Sequence, residues 1–144
     1  MLKGIPPILG PDLLSILRAM GHGDEIAIVD ANYPAESAGP EIVRLDGITA
    51  TDVLDAILTL MPLDSFVDSA AFAMQVVGEP DRREPVMEEF SQIISRHEPG
   101  FTLGTIERFA FYDRVKSAYA VVQTGERRLY GNVLLKKGIV RPVS

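Results

Sequence analysis

Histidine is scarce in this chain of 144 residues and stands only at His22 and His97. His22 lies between two glycines in "GHGDEIAIVDANYP", ahead of an apolar run that ends at Asp30. An imidazole with an ordinary pKa of ~6.5 can give and retake a proton near neutral pH. Flanking glycines leave little side-chain bulk between a substrate and the ring. Asp30, Asn32 and Tyr33 follow the far end of the apolar run, and open α/β sheets bind ligands outside the carboxyl ends of their strands. A strand of about six residues at ~3.3 Å each separates its ends by roughly 20 Å. His22 and Asp30 can therefore share a site only if the chain folds back or another subunit supplies one of them.

A second group of polar residues lies in "LYGNVLLKKG". In a regular strand Tyr130 and Asn132 share a face. A phenol beside a carboxamide offers donors and acceptors to hydroxyl groups, an inventory suited to a sugar. Gly131 between them would let something approach the backbone closely. In "ERFAFYDRVKSAYA", Arg108 and Arg114 stand among Phe109, Phe111, Tyr112 and Tyr119. The plain interpretation is an amphipathic helix with aromatics in the core and charges in water.

Several chemistries are excluded. There is no cysteine, hence no disulfide, thiolate nucleophile or Cys-ligated zinc. The histidines lie 75 positions apart and show no metal-ligand spacing. Neither GxSxG nor GxxxxGK[ST] occurs, and "GHGDEI" precedes its strand where a dinucleotide fingerprint would follow one. A net charge of −6 argues against nucleic acid and anionic membrane surfaces. No apolar stretch reaches the ~18 residues of a bilayer span. "MLKGIPPILGPD" meets prolines too early for a secretory signal, so a soluble cytoplasmic protein is expected.

The elements that must position these residues alternate along the chain. "GPDLLSILRAMGHG" predicts a helix with Pro11 in its first turn and Gly21 as a positive-φ stop. "EIAIVD" predicts a buried central strand, and "EIVRLDG" another strand. Thr49 or Thr51 caps the helix "TATDVLDAILTLM", which ends before Pro62. A strand in "SAAFAMQVVG" and a helix in "PVMEEFSQIISRHEPG" follow. "FTLGTIE" predicts a strand and "RFAFYDRVKSA" a helix. "YAVVQTGERRLYGNVLLKKG" predicts two strands joined near Gly125. Alternating strands and helices imply an α/β domain with a mixed sheet covered by helices, single over residues 1–144.

"MGHGDEIAIVDANYP", "ERFAFYDRVKSAYAVVQTGERRLYGN" and "LLKKG" together resemble the fucose mutarotase branch of the ribose pyranase/fucose mutarotase family, over nearly the whole chain. The resemblance implies a three-layer α/β/α fold. It implies a ring-based homo-oligomer, typically a decamer, with sites between neighbouring subunits and no metal or organic cofactor. Carried over by motif, His22 is the proton donor, and Asp30, Arg108, Tyr130, Gly131 and Asn132 bind a monosaccharide such as L-fucose. Arg108 and "YGN" favour the fucose branch over the pyranase branch, where His and "YAN" stand. Tyr33 departs from the Phe or His common at its position, and "SAAFAMQVVGEPDRREP" is not among the stretches that carry the resemblance. The alternatives are a D-ribose pyranase, which shares the ring-opening chemistry, and a non-catalytic sugar-binding module.

Overall fold

The structure is a computed structural model that describes residues 1–143. In chain order the elements are α1 (Pro11–Ala19), β1 (Glu25–Val29), β2 (Glu41–Leu45), α2 (Ala50–Leu60), β3 (Ala71–Met74), α3 (Pro85–His97), β4 (Gly104–Ile106), α4 (Arg108–Lys116), β5 (Ala120–Thr124) and β6 (Val133–Lys136). The strands form one sheet in the order β2-β5-β1-β6-β3-β4. Only β6 runs against its neighbours β1 and β3; every other pairing is parallel. The sheet is thus mixed, as the sequence predicts.

Strand alternation sorts the core into two layers. Ile26 and Ile28 of β1 join Ala120 and Val122 of β5 in one cluster with Leu13, Leu54, Ile57, Phe90 and Ile94 from α1, α2 and α3. Ala27 and Val29 face the other way, with Val121 and Leu134, onto Phe111 and Val115 of α4. β1 is central and its Ile26–Val29 are fully buried, which explains why its sequence is apolar on both faces. Three helices cover one face and α4 the other, the expected three layers.

Local signals match the helix starts. Pro11 and Pro85 each open a helix, where a missing N–H costs nothing. Thr49, not Thr51, caps α2 by accepting the Asp52 N–H at 3.2 Å. The stop of α1 differs from expectation. Met20 closes the helix in an extended conformation, and positive φ falls at Gly23 (φ 89) instead of Gly21. The free carbonyls at this helix end are taken by the Lys137 ammonium, which donates to Leu17 O at 2.7 Å and to Met20 O. A side chain from beyond β6 thereby does the work a left-handed glycine would do.

The segment joining β5 to β6 also differs. The strands are not neighbours, because β1 lies between them. Residues 125–132 consequently cross the carboxyl end of β1. The crossing starts at Gly125, whose N–H donates to Ile48 O at 2.8 Å. A Cβ at Gly125 would lie 1.9 Å from Asp46 O, so only glycine fits. Gly125→Ala is expected to destabilise the fold by about 1–3 kcal/mol, the range for forced overpacking. Thermal unfolding checks this; an unchanged midpoint would contradict the close approach.

Candidate active site

All five parallel strands end at the same edge of the sheet, and β6 starts there. This edge carries a cleft of about 210 Å³ lined by Asp30 and Tyr33 after β1, Met74 and Val77 from β3 and its exit, Arg108 at the start of α4, and Tyr130 and Asn132 ahead of β6. Asn32, Tyr112 and Leu129 complete the wall. It is the ligand position that the α/β topology favours. Four of the residues singled out from sequence, Asp30, Arg108, Tyr130 and Asn132, meet in it.

The cleft is held by the crossing segment and the end of β5. Asp30 N–H donates to Asn132 Oδ1 at 2.8 Å, and Ala31 N–H donates to Glu126 O at 2.9 Å. Gln123 Nε2 donates to Asp30 O, and Thr124 Oγ1 to Val29 O at 2.7 Å. Arg128 donates to both oxygens of the buried Glu126 carboxylate, at 3.0 and 3.1 Å, and reaches Glu89 on α3. Tyr130 adopts a left-handed φ of 62°, and its hydroxyl accepts the Val77 N–H at 3.1 Å. Tyr130 is therefore not in a strand, and the regular alternation invoked for Tyr130 and Asn132 does not apply. They reach the cleft because the backbone turns.

Gly131 has a different role from the one the sequence suggests. A Cβ there would lie 2.6 Å from Glu126 Cγ and 3.5 Å from Asp30 Cβ. The group that approaches its backbone is the protein's own packing, not an incoming ligand.

Arg108 opens α4 behind the Glu107 cap, whose carboxylate accepts the Phe109 and Ala110 N–H groups at 2.8 and 3.0 Å. Its guanidinium lies over the Phe109 ring, 4.5 Å from the centroid. Among the described residues, buried side-chain polar atoms without a partner are Arg108 Nε and the Tyr33 hydroxyl. Both belong to this one cleft. Buried donors are normally satisfied, so this pair has hydrogen-bonding capacity that the chain itself does not use.

His22 is elsewhere. It precedes β1, at the opposite edge of the sheet from Asp30. Its Nε2 is 3.0 Å from Oδ1 of Asp64, and its ring lies 5.3 Å from that of Phe66. Asp64 is 3% exposed and also accepts the Phe66 N–H at 3.0 Å. The His22 hydrogen bond, with that of Phe66, holds the Asp64 carboxyl below the usual range. Nε2 is thus engaged by Asp64, leaving Nδ1 for other chemistry. Asp30 does not touch His22 within one chain. His97 bonds Asp55 at 2.6 Å across α3 and α2, a structural contact. Among the described residues no cluster of His, Cys, Asp or Glu could hold a metal ion, and no helix is long and apolar enough to cross a membrane.

Residues 3–140 match the RbsD / FucU transport protein family. The chain belongs to that family. It is 48% identical to the fucose mutarotase of Bos taurus, over 99% of this chain and 96% of the relative. It is 46% identical to that of Homo sapiens, over 96% and 94%. Among solved structures, it is similar to the fucose mutarotase of Streptococcus pneumoniae in complex with L-fucose, at 47% identity and a TM-score of 0.91, over 97% of this chain and all of that one (100%). The RbsD of Bacillus subtilis, at 22% identity and a TM-score of 0.72, shares the fold.

Sequence reasoning missed several residues of the cleft and of the His22 contact. Asp64 carries no motif, and its pairing with His22 spans 42 positions. Met74 and Val77 come from a segment that does not carry the resemblance. Tyr112 was assigned to the core with its aromatic neighbours, yet it lines the cleft. Phe109 is 61% exposed and Phe111 is buried, so the aromatic run divides between solvent, cleft and core. The weak helical amphipathicity of "RFAFYDRVK" was the available signal.

The carboxylates at this edge are tuned in opposite directions. Burial pushes the Asp30 carboxyl above its ordinary 3.8; N–H donors from Asn32 and its neighbours oppose this without cancelling it. Burial also pushes Glu126 up, but Arg128 outweighs it and the group is held below its ordinary 4.5. A lowered carboxyl stabilises the fold above its ordinary value and loses that contribution as pH falls through the lowered one. A raised carboxyl contributes below its ordinary value and loses that as pH rises through the raised one. Ionised Asp30 is therefore a cost to the ligand-free fold. Asp30→Asn keeps an oxygen for the Asn32 N–H, so its melting temperature at pH 7 should equal or exceed the parent's, with the advantage vanishing below pH 3.8. A clear loss at pH 7 would contradict the desolvation account.

Proposed function

We propose that the chain is a sugar mutarotase that interconverts the α and β anomers of L-fucose by opening and reclosing the pyranose ring. The observation that carries this reading is the unpartnered Arg108 Nε in a cleft with a carboxyl, a phenol and a carboxamide. These groups complement the neighbouring hydroxyls of a monosaccharide. The resemblance to relatives named fucose mutarotase supports it.

Ring opening breaks the bond between the anomeric carbon and the ring oxygen. The ring oxygen takes a proton and the anomeric hydroxyl loses one, giving an aldehyde. Rotation of the aldehyde and attack by the same oxygen on the other face reverse both transfers. Only protons move, so general acid and base groups suffice, each worth about 10²–10⁴-fold. His22 carries one proton, its ring oriented by Asp64. Arg108, Tyr130 and Asn132 hold the pyranose, and Asp30 accepts a sugar hydroxyl. Gly131 contributes by letting Glu126 and Asp30 close on the backbone between Tyr130 and Asn132.

A single chain keeps His22 and the cleft at opposite sheet edges, so a second copy brings them together. Exposed apolar residues border both half-sites: Phe66 (63%) and Val67 (40%) beside His22, and Phe109 (61%) and Leu129 (66%) at the cleft. Surfaces of this kind mark interaction sites. A closed homo-oligomer, of decamer type, with each site shared between neighbours fits this arrangement. The protein is proposed to work in the cytoplasm.

Magnetisation-transfer NMR between the α and β anomeric protons of L-fucose tests the reading. Added protein should speed the exchange, and His22→Ala should slow the catalysed part by about 10²-fold or more. No acceleration by the parent protein would contradict the mutarotase reading. Near-parental exchange by His22→Ala would remove His22 from the reaction.

A further inference from the structure

The Tyr33 hydroxyl is unexplained by the scheme above. The side chain is 7% exposed and belongs to the core layer under α4. Its ring packs against Phe111 at 6.1 Å and Tyr112 at 5.3 Å between centroids. The hydroxyl is buried and unpartnered. Phenylalanine would fill the same space without burying an unmet donor, so the oxygen acts against the stability of the empty fold.

The site where such a donor could find its partner is defined. Tyr33 lines the cleft with Asp30 and Arg108. It also lines a second cavity of about 270 Å³ with Pro34, Ser37, Ala38, Tyr112 and Lys116. Tyr33 and Tyr112 are the wall common to both. Tyr33 thus bounds both spaces, and rotation about its Cζ–O bond aims the O–H without moving the packed ring. Burial, with Tyr112 and Asp30 nearby, pushes its pKa up, so the group stays protonated and can donate.

A 6-deoxy sugar has no hydroxyl on its exocyclic carbon. L-fucose carries a methyl group there, and L-galactose, of the same ring configuration, carries a hydroxymethyl group. Asp30, Arg108, Tyr130 and Asn132 are engaged by the ring hydroxyls in the mutarotase reading, on which this inference rests. Met74, Val77 and Leu129 supply the apolar surface that suits a methyl group. Of the two buried side-chain polar atoms without a partner among the described residues, Arg108 Nε serves the ring hydroxyls and the Tyr33 hydroxyl remains. We infer that Tyr33 is a specificity-determining residue that extends this site to pyranoses bearing a hydroxyl on the exocyclic carbon, L-galactose being the nearest to L-fucose.

The test compares anomeric exchange of L-fucose and L-galactose by magnetisation transfer, with the parent protein and Tyr33→Phe. One neutral hydrogen bond lost in one sugar only should lower the L-galactose to L-fucose ratio of exchange efficiencies by roughly three- to tenfold. The melting temperature of the ligand-free variant should not fall, because an unmet buried donor has gone. An unchanged ratio, including equal losses on both sugars, overturns the inference. So does a parent protein that exchanges L-fucose but not L-galactose; in both cases the mutarotase reading stands. A parent that exchanges neither sugar overturns that reading, and this inference falls with it.

Discussion

The insertion of β1 between β5 and β6 is the constraint on which the site depends. These two strands are consecutive in the chain and separated in the sheet. The segment between them has to cross the carboxyl end of β1. There its side chains, with two from the end of β5, pair the backbone groups at the end of β1. Asn132 takes the Asp30 N–H, Gln123 gives to the Asp30 carbonyl, and Thr124 gives to that of Val29. These buried polar groups need partners whether or not a sugar is bound. Satisfying them places Asp30, Tyr130 and Asn132 around one cleft.

The same edge is costly to maintain. Asp30 is buried without a cation, and Arg108 Nε and the Tyr33 hydroxyl have no partner. The crossing segment is fixed by stronger contacts, the Glu126 and Arg128 pair and the close packing at Gly125 and Gly131. Unsatisfied groups supported by a rigid frame are the expected pattern of a binding site, in which ligand contacts complete what the fold leaves open. The opposite edge is arranged in the same way. Lys137 closes α1 and Asp64 holds the His22 ring, so an exposed histidine on a turn is presented in a set orientation.

The sequence made visible what is decided locally. The run Ile26–Val29 is a buried strand because it is apolar on both faces. Pro11, Thr49 and Pro85 start helices for reasons contained within one turn. Strand order is not local, and nothing in "VVQTGERRLYGNVLL" shows that a strand more than 80 positions earlier will separate its halves. The same cause hid the left-handed Tyr130, the packing role of Gly131 and the end of α1 at Met20. The resemblance supplied residue names for the cleft, and four of its five sugar-binding positions line it. It did not supply Asp64, Tyr112, Met74 or Val77, whose places depend on contacts across the fold. The strand-length estimate did foresee that His22 and Asp30 stand apart in one chain.

The central claim is that one active site takes His22 from one copy and the Asp30 cleft from another. Mixing the variants His22→Ala and Asp30→Ala, each expected to lose most of the exchange on its own, in one assembly, by co-expression or by unfolding and refolding together, tests it most directly. With random mixing in a closed homo-oligomer, about one shared site in four receives both parental residues. The account predicts that L-fucose anomer exchange returns to about a quarter of the parental rate on this counting. Exchange no faster than in the separate variants would contradict a site built from two copies.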